Sequence, residues 1–317
     1  MRPPASSLGL VLALGLLVLP ALISGVARAE GRGIIGRWDL TLHTAHRALP
    51  AWFEIADQGG TLGMRYVGWV GGARPVSRLE YSDRQIRFSL PTQFERPGGT
   101  LTFTGRFNGA WLEGEGSLGG GPAFRWTAVR SPGLAPRPRQ RWGEPIALFD
   151  GRDLDGWCRR HEGGEACWGV EDGVLSSQAP CVDLVSRRRF RDFRLHVEFR
   201  LAEGADSGIH LRGRYEIQLR DDNRMDPVEG WHAGLYGFIA PASDARRPAG
   251  EWQTCDATLI GRRVTVVMNG VTVIDDQEIP GITGDALDSD EGAAGPIMLQ
   301  GRAGGVSFRD ITVVPAR

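Results

Sequence analysis

One stretch of this 317-residue sequence reads Asp206-Ser-Gly-Ile-His-Leu-Arg-Gly-Arg-Tyr-Glu-Ile-Gln-Leu-Arg-Asp221 and alternates apolar and polar residues. From position 209 to 220 the odd positions are apolar or glycine, and the even positions are His210, Arg212, Arg214, Glu216, Gln218 and Arg220. Side chains in a strand alternate between faces with a period of two, so the pattern predicts one strand with a core face and a polar face. A solvated outer face is the usual meaning of such alternation. The polar row also combines a potential base, a potential proton carrier and a potential anion stabiliser, which predicts a site whose side chains point together into an open hollow.

The same short alternating runs, broken by Gly, Pro, Asn or Asp, extend through the chain and predict an all-β protein. Eight strands are expected in a first block, at 36–44, 51–56, 61–67, 77–81, 85–90, 100–107, 110–116 and 123–129. Sequential hairpins of this kind predict a small β-barrel or meander. A second block contains an alternating run at 190–201, an Asn269-Gly270 hairpin and closing strands at 297–300 and 306–314. Strands of non-local order indicate a jelly-roll-like sandwich of two sheets.

The ends and the middle of the chain set the expected boundaries. Arg2, an apolar run from 8 to 23 and Ala27-Arg28-Ala29 are the three parts of a secretory signal peptide. We therefore expect residues 1–29 to be removed and the protein to be periplasmic or secreted, without stable membrane insertion. The accessory domain is expected at 30–130, a Pro-rich linker at 131–143 and the jelly-roll domain at 144–317.

Composition excludes some functions but does not determine how the cysteines pair. The formal charge is −1 and every basic residue is arginine, so nucleic-acid binding is not expected and a Schiff-base lysine is excluded. Four cysteines lie at 158, 167, 181 and 255. In an exported protein disulfides are favoured over free thiols. Pairing of 158 with 167 and of 181 with 255 is one of three possible arrangements.

A series of motifs in the second block resembles one family. The matching segments, in order, are Leu148-Phe-Asp-Gly-Arg-Asp-Leu-Asp-Gly-Trp157, Trp168-Gly-Val-Glu-Asp-Gly-Val-Leu175, Phe190-Arg-Asp-Phe-Arg-Leu195, Asp206-Ser-Gly-Ile-His-Leu-Arg212, Tyr215-Glu-Ile-Gln-Leu219, Gly234-Leu-Tyr236, Pro248-Ala-Gly-Glu-Trp-Gln253, Gly295-Pro-Ile-Met-Leu-Gln300 and Phe308-Arg-Asp-Ile311. Over residues 146 to 315 the chain resembles the 3-keto-disaccharide hydrolase domain family. Asp206 replaces the family's usual Asn, and Gly301-Arg302 follow Gln300 where the family often carries a histidine.

The resemblance implies a concanavalin-like jelly roll that acts on 3-keto-glycosides by elimination or hydrolysis of the glycosidic bond. A C3 ketone acidifies the C2 proton, so the reaction needs a base, a stabiliser of the enediolate and an acid for the leaving oxygen. We assign Glu216 as base, Arg212 as enolate stabiliser, and His210 or Asp221 as acid. The sugar would be bound by Ser207, Gln218, Tyr236, Trp252 and Gln300. The cofactor is unknown, although His210, Glu216 and Asp221 offer ligand types suited to a divalent metal.

Two other functions compete with this interpretation. A non-catalytic carbohydrate-binding or envelope-interaction module would also use a sandwich with exposed aromatics. A retaining glucanase-type glycosidase would need two carboxyl groups about 5 to 5.5 Å apart. Glu216 and Asp221 are an odd number of positions apart, so in a regular strand they point to opposite faces.

In the first block the tryptophans at 38, 52, 69, 111 and 126 are expected to fill a core, and His43 and His46 to lie on the surface.

Overall fold

A computed structural model describes residues 33–134, 140–162, 167–177, 181–221 and 231–317. All regular secondary structure in these ranges is β, as predicted. None of the described residues forms a helix long and apolar enough to cross a bilayer. The expected signal peptide lies outside the described residues, and so does the centre of the expected linker.

The first block forms one nine-stranded antiparallel sheet. Its strands are β1 Gly36–His43, β2 Ala48–Asp57, β3 Leu62–Val67, β4 Arg74–Pro75, β5 Arg78–Ser82, β6 Gln85–Pro91, β7 Thr100–Phe107, β8 Trp111–Leu118 and β9 Phe124–Arg130. Edge strands β4 and β5 are separated by only two residues of chain, so the two edges of the sheet lie close together and the meander curls into a small barrel. All eight strands predicted from alternation are present, with ends that differ by a few residues.

Buried aromatic residues fill this barrel. Phe88 and Phe103 stack with ring centroids 4.5 Å apart, and Trp38 and Trp126 are fully buried in the same cluster. The expectation that every tryptophan of the block is core is wrong for Trp111, which is 47% exposed.

The second block forms two sheets that face each other. Its strands are β10 Ile146–Ala147, β11 Trp157–Arg159, β12 Trp168–Glu171, β13 Val174–Ser177, β14 Leu184–Phe190, β15 Phe193–Leu201, β16 Asp206–Leu211, β17 Tyr215–Arg220, β18 Gln253–Ile260, β19 Arg263–Met268, β20 Val271–Glu278, β21 Gly295–Leu299 and β22 Val306–Pro315. The larger sheet has the order β12-β13-β22-β15-β18-β19-β20, with β10 paired to β22. The smaller sheet has the order β11-β14-β21-β16-β17. Alternating residues such as Val197, Phe199, Ile209 and Ile217 are fully buried in one apolar cluster between the sheets, which confirms the jelly-roll sandwich.

The stretch that was predicted as one strand is a hairpin. β16 and β17 pair antiparallel, and Arg212-Gly213-Arg214 form the turn between them. Arg212 and Gly213 have φ values of 53° and 64°, in the left-handed region that ends a strand. Because the turn has three residues, His210 and Glu216 pair directly and stay on the same face. The two-face pattern is therefore right, and the single-strand prediction is wrong.

The barrel is docked on the sandwich through buried contacts. Trp52 of β2 is part of the sandwich's apolar cluster, and its indole N–H donates to the carbonyl of Ile282 at 2.8 Å. Arg37 contacts Glu291 in a buried ion pair. Desolvation is the main cause that raises the pKa of neighbouring Asp39 to about 7, and the Glu291 carboxylate adds to it. The barrel and the sandwich therefore share a buried interface.

The disulfide differs from the pairing that we considered. Cys167 and Cys181 are bonded, with Cα atoms 5.8 Å apart, while Cys158 and Cys255 are free. Cys255 belongs to β18 and its side chain is buried in the core between the sheets, where neither of the bonded cysteines reaches it. Cys158 is exposed on edge strand β11.

Candidate functional site

The polar row lies on the outer face of the five-stranded sheet. Across the β16–β17 pair His210 is opposite Glu216, and Gly208 is opposite Gln218. Ile209 and Ile217 point the other way, into the core. The outer face is not open to solvent here, because 0% of His210 and 2% of Glu216 is exposed.

His210 and Glu216 form a buried pair with unused hydrogen-bonding capacity. His210 Nε2 and Glu216 Oε1 are 3.9 Å apart. Neither ring nitrogen of His210 nor Oε1 of Glu216 has a hydrogen-bond partner among the described residues. Unsatisfied buried polar groups are rare in native proteins, and each needs an explanation such as a catalytic role or a bound water or ion. A group that binds between them would recover these hydrogen bonds.

Burial sets the protonation state of the pair. Desolvation lowers the pKa of His210 to about 3, so its imidazole is neutral near pH 7. Desolvation also raises the pKa of Glu216 well above its usual value, and the Arg302 guanidinium opposes this shift. A carboxyl group with a raised pKa is a stronger base once it is ionised.

Gly208 leaves the space that the Glu216 side chain occupies. A Cβ atom at position 208 would lie 2.7 Å from Glu216 Oε1 and 3.0 Å from its Cγ. This glycine belongs to the Ser-Gly-Ile element of the hairpin. Its role is therefore to let the carboxyl group lie across β16 beside His210.

A ring of charged residues surrounds the pair. Arg160 bonds Asp183 at 3.0 Å and Asp285 at 2.7 Å, and Arg302 lies 3.7 Å from Asp285. Burial by itself raises the pKa of Asp285. The charges of Arg160 and the other neighbouring cations lower it by a larger amount, so the pKa of Asp285 is below its usual value. Asp285 is therefore ionised at neutral pH, and Arg302 is the cation that lowers the pKa of Glu216 most.

Two loops complete the walls of the site. The backbone N–H of Tyr236 donates to the carbonyl of Glu216 at 3.0 Å, and the N–H of Glu216 donates to Thr283 Oγ1 at 3.1 Å. Burial, followed by the nearby Glu216 carboxyl, raises the pKa of Tyr236 to about 12. Gln300 donates from Nε2 to Asp285 at 3.2 Å, and its Oε1 has no partner among the described residues.

Two of the predicted site residues lie elsewhere. Arg212 is in the hairpin turn, where its guanidinium donates to the carbonyl of Gly261 and lies over the Tyr215 ring. Trp252 is held between Arg200 and Arg309 of the larger sheet, whose guanidinium carbons lie 4.9 and 4.0 Å from the ring centroid. The structure does not bring either residue to His210 and Glu216.

Three more of the predicted residues have other partners. Asp221 accepts a hydrogen bond from the N–H of Gly204 at 2.8 Å, and five residues of strand place it about 16 Å from Glu216. Ser207 is on the core side and donates to the carbonyl of Gln300 at 2.7 Å. Gln218 shares the face of Glu216, but its amide donates to Asp206 at 2.8 Å and to the Ser207 carbonyl.

The charged ring was not predicted from the sequence. Arg160, Asp183 and Asp285 lie in segments far from the hairpin, and none is part of an alternating run. Arg302 could have been found, because it lies two positions after Gln300, which was already assigned to the site.

The part of the chain that the structure describes shows no open hollow above the row, since His210 and Glu216 are buried. A cavity of about 930 Å³ is lined by Cys167, Ser177, Arg200 and Ser307, and none of the four prominent cavities is lined by His210, Glu216 or Gln218. Solvent instead reaches the rim of the site at Arg302 and Asp285, whose side chains are 45% and 26% exposed. The pair is therefore covered, and its rim is polar.

The residues suit a divalent metal only in part. His210 and Glu216 supply one nitrogen and one oxygen ligand type, but Asp221, the third expected ligand, is directed elsewhere. Within the described ranges the three-residue group close enough to hold an ion is His196, Glu198 and Asp310 on the larger sheet. The fit of a metal at the pair therefore depends on His210 and Glu216 alone.

The second block is thus an all-β sandwich with a buried histidine–glutamate pair on the outer face of one sheet. Residues 144–314 match the family described as the 3-keto-alpha-glucoside-1,2-lyase-like domain, and the chain belongs to this family. This confirms the resemblance seen in the sequence.

Individual relatives are more distant. A protein of Bacteroides thetaiotaomicron named 3-keto-disaccharide hydrolase is 25% identical over 146 residues, which cover 34% of this chain and 49% of that protein. The chain thus spans about half the length of this curated relative. A solved protein of Parabacteroides distasonis, provisionally described as a glycosyl hydrolase, is 28% identical with a TM-score of 0.48, over 56% of this chain and 92% of that one.

Proposed function

We propose that this chain is an exported enzyme that cleaves 3-keto-glycosides by elimination at the His210–Glu216 pair. The observation that carries the proposal is that both residues are buried, face each other and keep polar atoms without partners. The family membership and the name of the Bacteroides relative support the substrate class.

In the proposed reaction Glu216 is the base. Its carboxylate takes the C2 proton, the C2–H electron pair forms the enediolate with the C3 carbonyl, and the enediolate then expels the C1 oxygen. Arg302 replaces Arg212 as the stabiliser of the developing negative charge, because it is the cation that acts most strongly on Glu216. Addition of water to the resulting enone would make the net reaction a hydrolysis.

The leaving oxygen needs a proton, and we assign this proton to Tyr236. Burial, followed by the charge of the nearby Glu216 carboxyl group, raises the pKa of the Tyr236 hydroxyl to about 12, so it is protonated at neutral pH. His210 is neutral under the same conditions and would act as a hydrogen-bonding partner of the sugar or of Glu216. Asp221 has no part in this scheme.

The test is turnover of a 3-keto-disaccharide beside the unoxidised disaccharide, each with and without a chelator. We expect the enone product from the 3-keto substrate alone. Loss of activity with chelator would mean that a metal is required. Binding of either sugar without product would instead support a non-catalytic carbohydrate-binding module and contradict the proposal.

The pH dependence should identify the base. Because the pKa of Glu216 is raised, kcat/KM should increase with pH through a value well above that of an ordinary carboxyl group. Removing the positive charge with Arg302→Gln should raise the pKa of Glu216 further and move the rising limb to higher pH. The measurement is a pH profile of both proteins, and an unchanged limb in the variant would contradict the coupling of Arg302 to Glu216.

Gly208→Ala should lower activity about 100-fold, because the new methyl group would displace the Glu216 carboxyl group from its position. The matched control is Gly169→Ala, where a Cβ atom meets nothing within 4 Å. Single-turnover rates of the two variants on one 3-keto-glucoside provide the measurement. Equal rates would mean that the location of the carboxyl group does not matter.

A further inference from the structure

The first barrel forms one wall of the site. The carbonyl of Trp69 accepts a hydrogen bond from the N–H of Asp285 at 2.9 Å. Gly72 packs so closely against Gly237 that a Cβ atom at 237 would lie 2.9 Å from the Cα atom of Gly72. Since Gly237 follows Tyr236, the barrel segment 69–72 touches both loops that enclose the pair.

An exposed aromatic ring stands next to this wall. Phe94 is 55% exposed, and a Cβ atom at Gly71 would lie 3.1 Å from its Cδ2 atom. Gly71 in turn contacts Gly284, where a Cβ atom would lie 2.6 Å from the Gly71 oxygen. Only Gly71 therefore separates the ring from the segment that carries Asp285.

Buried polar contacts hold the backbone that carries Phe94. Glu95 is 3% exposed and forms an ion pair with Arg74. Its Oε2 atom accepts the backbone N–H groups of Gln93 at 2.6 Å and of Phe94 at 3.2 Å. Gln93 also accepts the N–H of Gly72 at 3.1 Å. These contacts tie the backbone that carries Phe94 to the barrel segment 69–72.

We propose that Phe94 is a stacking platform for the second unit of a disaccharide whose oxidised sugar lies at Glu216. This inference rests on the proposed function. A pyranose ring has an apolar face that packs on an aromatic ring, and Phe94 borders, through Gly71, the segment that carries Asp285. The ring would therefore contact the leaving sugar and would select 3-keto-disaccharides over glycosides with small leaving groups.

The experiment compares Phe94→Ala with wild type on a 3-keto-disaccharide and on the corresponding methyl 3-keto-glucoside. The variant should raise KM for the disaccharide about five-fold at unchanged kcat and leave both constants unchanged for the methyl glycoside. Phe94→Trp keeps an aromatic ring at this position and should have the low KM of wild type. Trp111→Ala is the matched control, because Trp111 is 47% exposed on β8 of the same barrel and contributes nothing to the wall.

Three results would contradict the role of Phe94 as a stacking platform: no change in KM, an equal change for both substrates, or the same change in Trp111→Ala. Absence of turnover in the wild-type protein would refute the proposed function instead. In that case calorimetric titration of wild type and Phe94→Ala with unoxidised disaccharide still tests whether Phe94 binds a sugar. Weaker binding by the variant supports the platform, and equal or absent binding overturns it.

Discussion

Replacing Glu216 by Gln should lower turnover of a 3-keto-glucoside by a factor on the order of 10³, since a positioned general base contributes 10²–10⁴-fold. Gln keeps the shape and the hydrogen-bonding reach of the side chain but cannot accept the C2 proton. The measurement is product formation under saturating substrate. Activity within about ten-fold of wild type would rule out Glu216 as the base.

The same variant should fold at least as well as wild type, which separates loss of chemistry from loss of structure. Burial raises the pKa of folded Glu216, so the stability contributed by its protonated form is complete below the unfolded pKa and is lost as the pH rises through the folded pKa. Gln is neutral throughout. Thermal unfolding at pH 5 and pH 8 should show a smaller loss at pH 8 for Glu216→Gln than for wild type.

Replacing Trp52 by Ala should lower the free energy of unfolding by about 3–5 kcal/mol, the range for a buried large aromatic. Trp52 is 1% exposed, donates to the carbonyl of Ile282 and packs on Phe238 with ring centroids 5.9 Å apart. The cavity would open between the barrel and the sandwich. Urea unfolding provides the measurement, with exposed Trp111→Ala as the control that should change stability by less than about 0.5 kcal/mol.

Trp52→Ala should also reduce activity, because Ile282 lies just before the segment from Thr283 to Asp285 that borders Glu216. Loosening this segment would misplace Asp285 without touching the His210–Glu216 pair. A variant that is as stable and as active as Trp111→Ala would show that the barrel and the sandwich are independent, contrary to the shared interface.

The local part of the site could be predicted from the sequence. The period of two placed His210 and Glu216 on the same face, and the three-residue turn preserved that relation although the strand reverses there. Arg212 was assigned by the same rule and is elsewhere, because its left-handed φ of 53° places it in the turn. Side chains alternate between two faces only where the backbone is an extended strand.

The non-local part could not be predicted in the same way. Arg160 and Asp285 come from segments more than 100 residues apart and meet at 2.7 Å only through the packing of the small sheet and its loops. Phe94 has no alternating neighbours that mark it, and the docking of the barrel brings it next to the segment that carries Asp285.

The sequence by itself determined the strands, the sandwich and the face that carries His210 and Glu216, because hydrophobic alternation is a local consequence of strand geometry. Only the tertiary structure decided that this face is covered, that Arg302 lies near enough to lower the pKa of Glu216 and that Trp52 belongs to the interface. Burial and charge pairing depend on residues that are distant in the chain, so the pKa of Glu216 is a property of the assembled fold.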